Sequence, residues 1–167
     1  MKVLIISDTH MPKRAKELPA VLKKDLKDAG LIIHAGDWQT LALYEELQQY
    51  APVEGVAGNV DGDEVAERFG LWKLIEAEGV QIGIVHGHGK GWTTERRAIA
   101  AFSDHDPDII IFGHSHIPIH KEVNGQVVFN PGSPTDKRRQ KQFSYGVMMI
   151  EAGNFTVGHV FFEDRAP

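Results

Sequence analysis

The chain has 167 residues, the length of one domain with room for a full hydrophobic core. It is 42% hydrophobic and 25% charged, as globular proteins are, and its net charge of −5 argues against a dedicated nucleic-acid binder with a basic face. No segment reaches the ~18 apolar residues of a membrane span, and the lack of cysteine excludes disulfides and thiolate metal sites. The expectation is one cytoplasmic domain over 1–167, without membrane or nucleic-acid partners.

In chain order, Lys2–Ser7 is an apolar run too short for a signal peptide and reads as a strand. Leu18, Val21, Leu22, Leu26 and Ala29 follow a helical period. Leu31–His34 is a short strand, Thr40–Tyr50 a helix with Leu43 and Leu47 on one face, and Val53–Ala57 a third strand. The second half changes character. Trp72–Glu76 and Gln81–His86 flank the hairpin signal Glu78-Gly79. Thr93–Phe102 reads as a helix with Ile99 and Phe102 inward, and Asp108–Phe112 as a strand. Lys121–Val123 and Val127–Phe129 flank Asn124-Gly125, and Tyr145–Glu151 and Phe155–Phe162 flank Gly153-Asn154. An alternating half joined to a hairpin-rich half predicts two sheets face to face with helices outside.

One regularity carries chemistry. The apolar runs end in short loops that hold Asp, Asn or His, usually with Gly: Asp8-Thr9-His10, Gly36-Asp37, Gly58-Asn59, His86-Gly87-His88, Gly113-His114-Ser115-His116 and Asn130-Pro131-Gly132-Ser133. Ligands bind at the carboxyl ends of strands in layered α/β sheets, so these loops should converge. A single Asp after a strand is usually a turn or helix cap. Two H-x-H pairs and a D-x-H, each after an apolar run, are hard to read that way. Carboxylate with imidazole and no thiolate suits Mn²⁺, Zn²⁺, Fe or Ni²⁺ and disfavours Ca²⁺.

This ordered set resembles the calcineurin-like metallophosphoesterase superfamily. The small size, the Asn130–Ser133 segment and the hairpin end make it similar to the compact YfcE-type phosphodiesterases. The likeness runs from Lys2 to about Glu163. It implies a four-layer α/β/β/α sandwich of two mixed sheets flanked by helices. It also implies two divalent ions per chain, Mn²⁺ first, with Zn²⁺, Ni²⁺ or Fe as alternatives. By the same likeness Asp8, His10 and His116 would bind one ion, Asn59, His86 and His114 the other, and Asp37 would bridge them. The implied reaction is hydrolysis of a small phosphate ester, a diester above all, by a hydroxide shared between ions roughly 3.5–4 Å apart. The rival reading is a non-catalytic protein-binding scaffold on this fold, like the retromer subunit similar to the family. Ligand-competent residues at all seven positions favour an enzyme. A metallohydrolase of amides or esters is a third reading. The oligomeric state stays open.

The sequence departs from the wider family at Val60, where many members place a His directly after the metal-binding Asn. That His would serve the leaving group, which Val60 cannot do. His88 is the first candidate for the catalytic proton donor, and its alternative role is to orient a ligand. Asp61 is expected to brace the Asn59 loop and Ser115 to serve the turn. His34 should pack at its strand end, with His105 and His159 on the surface or in a sheet. His120 lies in a strand beyond the cluster, with lining of the substrate cleft as its alternative role. The basic run Lys137–Lys141 is either solvated loop or a source of an Arg for substrate phosphate.

Overall fold

Val3 and Ile5 point to one side of the first strand and Leu4 and Ile6 to the other, yet all four are fully buried. Such a strand needs a covering layer on each face. A computed structural model describes residues 1–167. Its elements are β1 (Lys2–Ile6), α1 (Ala20–Leu26), β2 (Leu31–His34), α2 (Ala42–Leu47), β3 (Val53–Gly55), α3 (Asp63–Phe69) and β4 (Trp72–Ala77). They continue with β5 (Val80–Val85), α4 (Thr94–Ala100), β6 (Ile109–Ile111), β7 (Ile119–Val123), β8 (Gln126–Asn130), β9 (Phe143–Glu151) and β10 (Asn154–Phe162).

Two five-stranded sheets form, in the orders β10-β9-β1-β2-β3 and β4-β5-β6-β8-β7. Each is mixed. β1, β2 and β3 run parallel, with β9 antiparallel to β1. β5, β6 and β8 run parallel between the antiparallel strands β4 and β7. The sheets meet through one apolar cluster that includes Val3, Ile5, Ile33, Ile82, Ile84, Ile109 and Ile111. Beneath the other face of the first sheet, Leu4, Ile6 and Ile32 pack on Leu22 and Leu26 of α1, Leu43 and Leu47 of α2, and Val65 and Phe69 of α3. The second sheet's outer face packs Ile110 and Val128 on Ala98 and Phe102 at α4. The result is the four-layer α/β/β/α sandwich expected from the sequence. The helices are six or seven residues long, well short of the ~12–15 that an isolated helix needs, so burial of these faces is what forms them. None is long and apolar enough to cross a membrane.

Three local features depart from the sequence reading. Helix α3 has no counterpart in it: the element is short, and its flanks Gly62 and Gly70 offer no side-chain cap. The last hairpin turns at Ala152-Gly153, not at Gly153-Asn154, and Asn154 opens β10. In all three hairpins the glycine takes the second turn position, behind Glu78, Asn124 or Ala152, and both residues have positive φ. That last hairpin also returns to the first sheet, where β9 pairs with β1.

Candidate metal centre

The six parallel strands are β1, β2, β3, β5, β6 and β8. The loops after the first five hold all seven candidate ligands. Parallel strands present their carboxyl ends on one edge, so the loops meet there. Asp8, His10 and His116 form one group, and Asp37, His86 and His114 a second; within each, the potential ligand atoms lie within 4.8 Å of one another. Asn59 joins the second group, its Oδ1 standing 3.1 Å from His86 Nε2 and 3.1 Å from His114 Nδ1. Asp37 Oδ2 lies between the groups, 3.1 Å from His86 Nε2 and 3.6 Å from His10 Nε2.

The loops hold this geometry against local preference. Asp8, His10, Asp37, His114 and His116 all adopt positive φ, between 46° and 73°. Each such residue costs about 1–3 kcal/mol, tolerated where surrounding contacts over-determine the backbone. Those contacts are present. Asp8 Oδ2 accepts from Ser7 Oγ at 2.8 Å and from the His114 amide at 3.0 Å, which leaves Oδ1 facing the centre. Asp61 accepts from the amides of Asp37, Gly58 and Gln39 at 2.9, 2.8 and 2.8 Å and so ties the second and third loops. The Val60 amide donates to Asp37 Oδ1 at 3.0 Å. Glycine is required at two close approaches: a Cβ on Gly58 would stand 2.1 Å from Asp37 Oδ1, and one on Gly113 2.0 Å from Ser7 Oγ.

The donor set fits divalent cations. Asp8 Oδ1, His10 Nε2 and His116 Nε2 are buried and have no hydrogen-bond partner, a costly arrangement unless an ion takes their lone pairs. The tautomers agree. His86 Nδ1 donates to Ala35 O at 2.7 Å and His116 Nδ1 to Asp136 O at 2.5 Å. In neutral rings both Nε2 atoms are then lone pairs, pointed at Asp8 Oδ1 from 3.8 and 3.5 Å. Lone pairs facing a carboxylate repel unless a positive charge lies between. Without an ion the electrostatics strain to supply one. Burial pushes the Asp8 carboxyl up to about 6. Burial works against charge on His86, but its hydrogen bond to Asp37 and the charges of Asp8 and Asp37 outweigh that and raise it. Burial also opposes charge on Asp37, yet the His86 bond and charge and the Val60 amide hold it well below the usual carboxylate range. Burial, then the charge of His86, lowers His114 to about 4, which leaves it a neutral donor.

Other residues singled out in the sequence fall as follows. His88 stands beside the second group, its ring centroid 5.5 Å from His86 and its buried Nδ1 unpartnered. Val60 is exposed at the mouth. Ser115 Oγ accepts from Asn130 Nδ2 and the Ile117 amide and serves the turn. His34 is fully buried, stacks on Trp38 and bonds to Thr9 Oγ1 at 3.0 Å. His105 is exposed against Trp72, and His120 and His159 pack on Phe129.

Sequence reasoning missed the braces. Ser133 Oγ donates to Asp8 O at 2.8 Å and accepts from the Asp136 amide at 2.8 Å, and Thr135 Oγ1 donates to Thr9 O at 2.7 Å. Asn130 Nδ2 donates to Gly113 O at 3.1 Å. The segment Asn130–Ser133 stood out in the sequence, but nothing there indicated that it staples the first loop to the fifth.

Residues 1–153 match the calcineurin-like phosphoesterase superfamily domain. A probable metallophosphoesterase of Methanothermobacter thermautotrophicus is 38% identical over 144 residues, covering 83% of this chain and 80% of that one. Among solved structures, Vps29 of Entamoeba histolytica complexed with Zn²⁺ aligns with a TM-score of 0.77 at 25% identity, covering 96% of this chain and 99% of that one. An archaeal phosphodiesterase aligns with a TM-score of 0.72 at 23% identity over 97% and 100% of the two chains, a likeness of fold. The chain belongs to the calcineurin-like phosphoesterase superfamily, whose members depend on metal ions.

Proposed function

We propose that this protein is a phosphodiesterase working with two divalent ions, Mn²⁺ first among them. The observation that supports it most is the trio of buried, unpartnered ligand atoms on Asp8, His10 and His116 beside a second group that opens to solvent. Asp8, His10 and His116 would hold one ion, Asn59, His86 and His114 the other, and Asp37 Oδ2 both. Bound ions of this kind supply Lewis acidity, ionising a water at neutral pH and neutralising charge on the phosphoryl oxygens.

The chain's own residues do the rest. Ser7, the His114 amide and the Val60 amide each occupy the outward oxygen of a carboxylate, so Asp8 and Asp37 present one oxygen apiece to the centre. Ala35 O and Asp136 O fix the tautomers of His86 and His116. Half-exposed His114 and exposed Asn59 and Val60 leave the second group accessible to an ester. His88 is the residue we assign to the leaving oxygen. Burial and the charge of His86 hold its pKa below the usual value, so only the protonated minority of His88 can donate at pH 7, and that donation matters chiefly for poor leaving groups.

The scaffold reading has the likeness to Vps29 in its favour. Metal analysis combined with turnover of bis(p-nitrophenyl) phosphate against p-nitrophenyl phosphate separates the two. Two ions per chain and faster diester cleavage are expected. Metal-loaded protein that cleaves neither ester would leave the scaffold.

A further inference from the structure

Beside the first ligand group lies a cavity of about 430 Å³ whose wall carries Lys13, Arg14, Lys137, Arg138 and Arg165, with Asp136 as its one acid. The chain has a net charge of −5 and 18 Lys and Arg in all, so five on one wall is a concentration of charge. Its lining is hydrogen-bonded to segments that carry candidate ligands. Arg14 N donates to His10 O at 2.7 Å, and Asp136 O accepts from His116 Nδ1 at 2.5 Å. Two of its walls therefore continue directly from segments that set candidate ligands.

Protein groups only partly answer this charge. Asp136 pairs with Arg14 at 3.5 Å. Arg165 donates to Arg14 O and Thr135 O, at 2.7 and 2.6 Å, and Lys137 to Gln140 O at 3.4 Å, but carbonyls do not cancel a cation. Lys137 and Arg165 also lie over the Phe143 ring at 5.6 and 5.7 Å. The side chains of Lys13 and Arg138 are exposed and have no protein partner, and Arg138 is held at φ 49°. Like charges gathered next to a site built for cations repel each other and the ions. An anion in the cavity offsets that repulsion, and guanidinium forks match phosphate oxygens.

We propose that this cavity binds a second phosphate of the substrate, so that the ester cleaved is a phosphodiester that also carries a terminal phosphomonoester. The assignment rests on the phosphodiesterase reading above. The basic run thus divides: Lys137 and Arg138 face the subsite, whereas Arg139 and Lys141 line a separate depression with Pro118 and Phe161.

A matched pair of substrates tests it: thymidine 5′-(p-nitrophenyl phosphate), with and without a 3′-phosphate, on Mn²⁺-loaded protein. The added phosphate should raise kcat/KM at least ~10-fold, and in the double variant Lys13→Ala/Arg138→Ala that ratio should fall below ~2. Equal rates on both substrates, or a preference that survives the double variant, overturns the proposal. A second readout needs no turnover. Calorimetric titration of metal-free protein with thymidine 3′,5′-bisphosphate should give a Kd at least ~10-fold weaker in the double variant. Charge-dependent binding of the bisphosphate without hydrolysis of either ester would defeat the phosphodiesterase reading and leave the anion subsite standing. Inorganic phosphate is the third arm. If it alters turnover of the plain diester, and does so only when Lys13 and Arg138 are present, a free anion is the occupant and the substrate assignment falls.

Discussion

The two ligand groups are built differently. Asp8, His10 and His116 are all buried, and every one of them leaves an unpartnered atom facing inward. Asp37, His86 and His114 are joined by exposed Asn59, His114 is half-exposed, and their ligand atoms already lie within hydrogen-bond distance of Asn59 Oδ1 or Asp37 Oδ2. The first group is a closed cage with an unmet need for a cation. The second is an open one, in which Asn59 Oδ1 and Asp37 Oδ2 already stand 3.1 Å from the imidazole nitrogens. A closed cage should retain its ion, whereas an open one should exchange it and meet the substrate.

The most severe way to test that contrast is to remove the metal. Chelation should abolish diester hydrolysis, with Mn²⁺ restoring it, and the second group should empty first as chelator is raised. Full turnover by thoroughly metal-free protein would sink the whole reading. Next comes Asp37, whose Oδ2 stands 3.1 Å from His86 Nε2 and 3.6 Å from His10 Nε2. Asp37→Ala should empty both and lower kcat/KM by at least ~100-fold, the scale of an essential electrostatic group. Two ions per chain and near-native turnover in that variant would show that nothing bridges there.

This contrast was only half legible in the sequence. The candidate ligands were visible because apolar strands are easy to see and each parallel strand delivers its following loop to the same edge. His34 was legible too, as a packing residue. The closure of the first cage was not. Ser133 and Asp8 are 125 residues apart, and Thr135 and Thr9 are 126 apart. No local periodicity encodes a hydrogen bond at that range. The return of β9 to β1 is hidden for the same reason, because hairpin signals fix a partner within the hairpin and say nothing of the sheet it joins. Helix α3 owes its existence to Val65 and Phe69 meeting Trp38 and Tyr44, which its own short sequence does not reveal.

The open group sharpens the question of the leaving group, because the exposed Val60 side chain carries no proton to give. His88→Ala should cost ~10²-fold on alkyl diesters, the low end of a general acid's contribution, and under ~3-fold on nitrophenyl esters. Val60→His should flatten the dependence of rate on leaving-group pKa if the new ring reaches the leaving oxygen. Esters of graded leaving-group pKa, run on the three proteins, read this out. A shallow dependence in the native protein that His88→Ala leaves unchanged would remove His88 from the role.

The smallest effect belongs to the brace of the closed cage. Ser133 touches no candidate ligand atom, yet its hydroxyl joins two ligands of one group. It donates to the carbonyl of Asp8 and accepts from the amide of Asp136, whose own carbonyl holds His116 Nδ1. The open group has no link to Ser133. Ser133→Ala leaves the Asp8 carbonyl and the Asp136 amide without their buried partner, a loss of about 1–3 kcal/mol in stability. Outer partners of metal ligands are typically worth ~10–100-fold in affinity, and the low end applies because Asp8 keeps its bonds from Ser7 and the His114 amide. Metal titration should therefore show one site weakened about 10-fold and the other unchanged, while thermal unfolding of the metal-free protein moves down by a few degrees. Ser133→Thr, which keeps the hydroxyl, should restore the weakened site if its methyl is accommodated. Equal weakening of both sites would mean that the two groups share one scaffold, and no weakening at all would mean that the strained loops hold Asp8 and His116 without the staple.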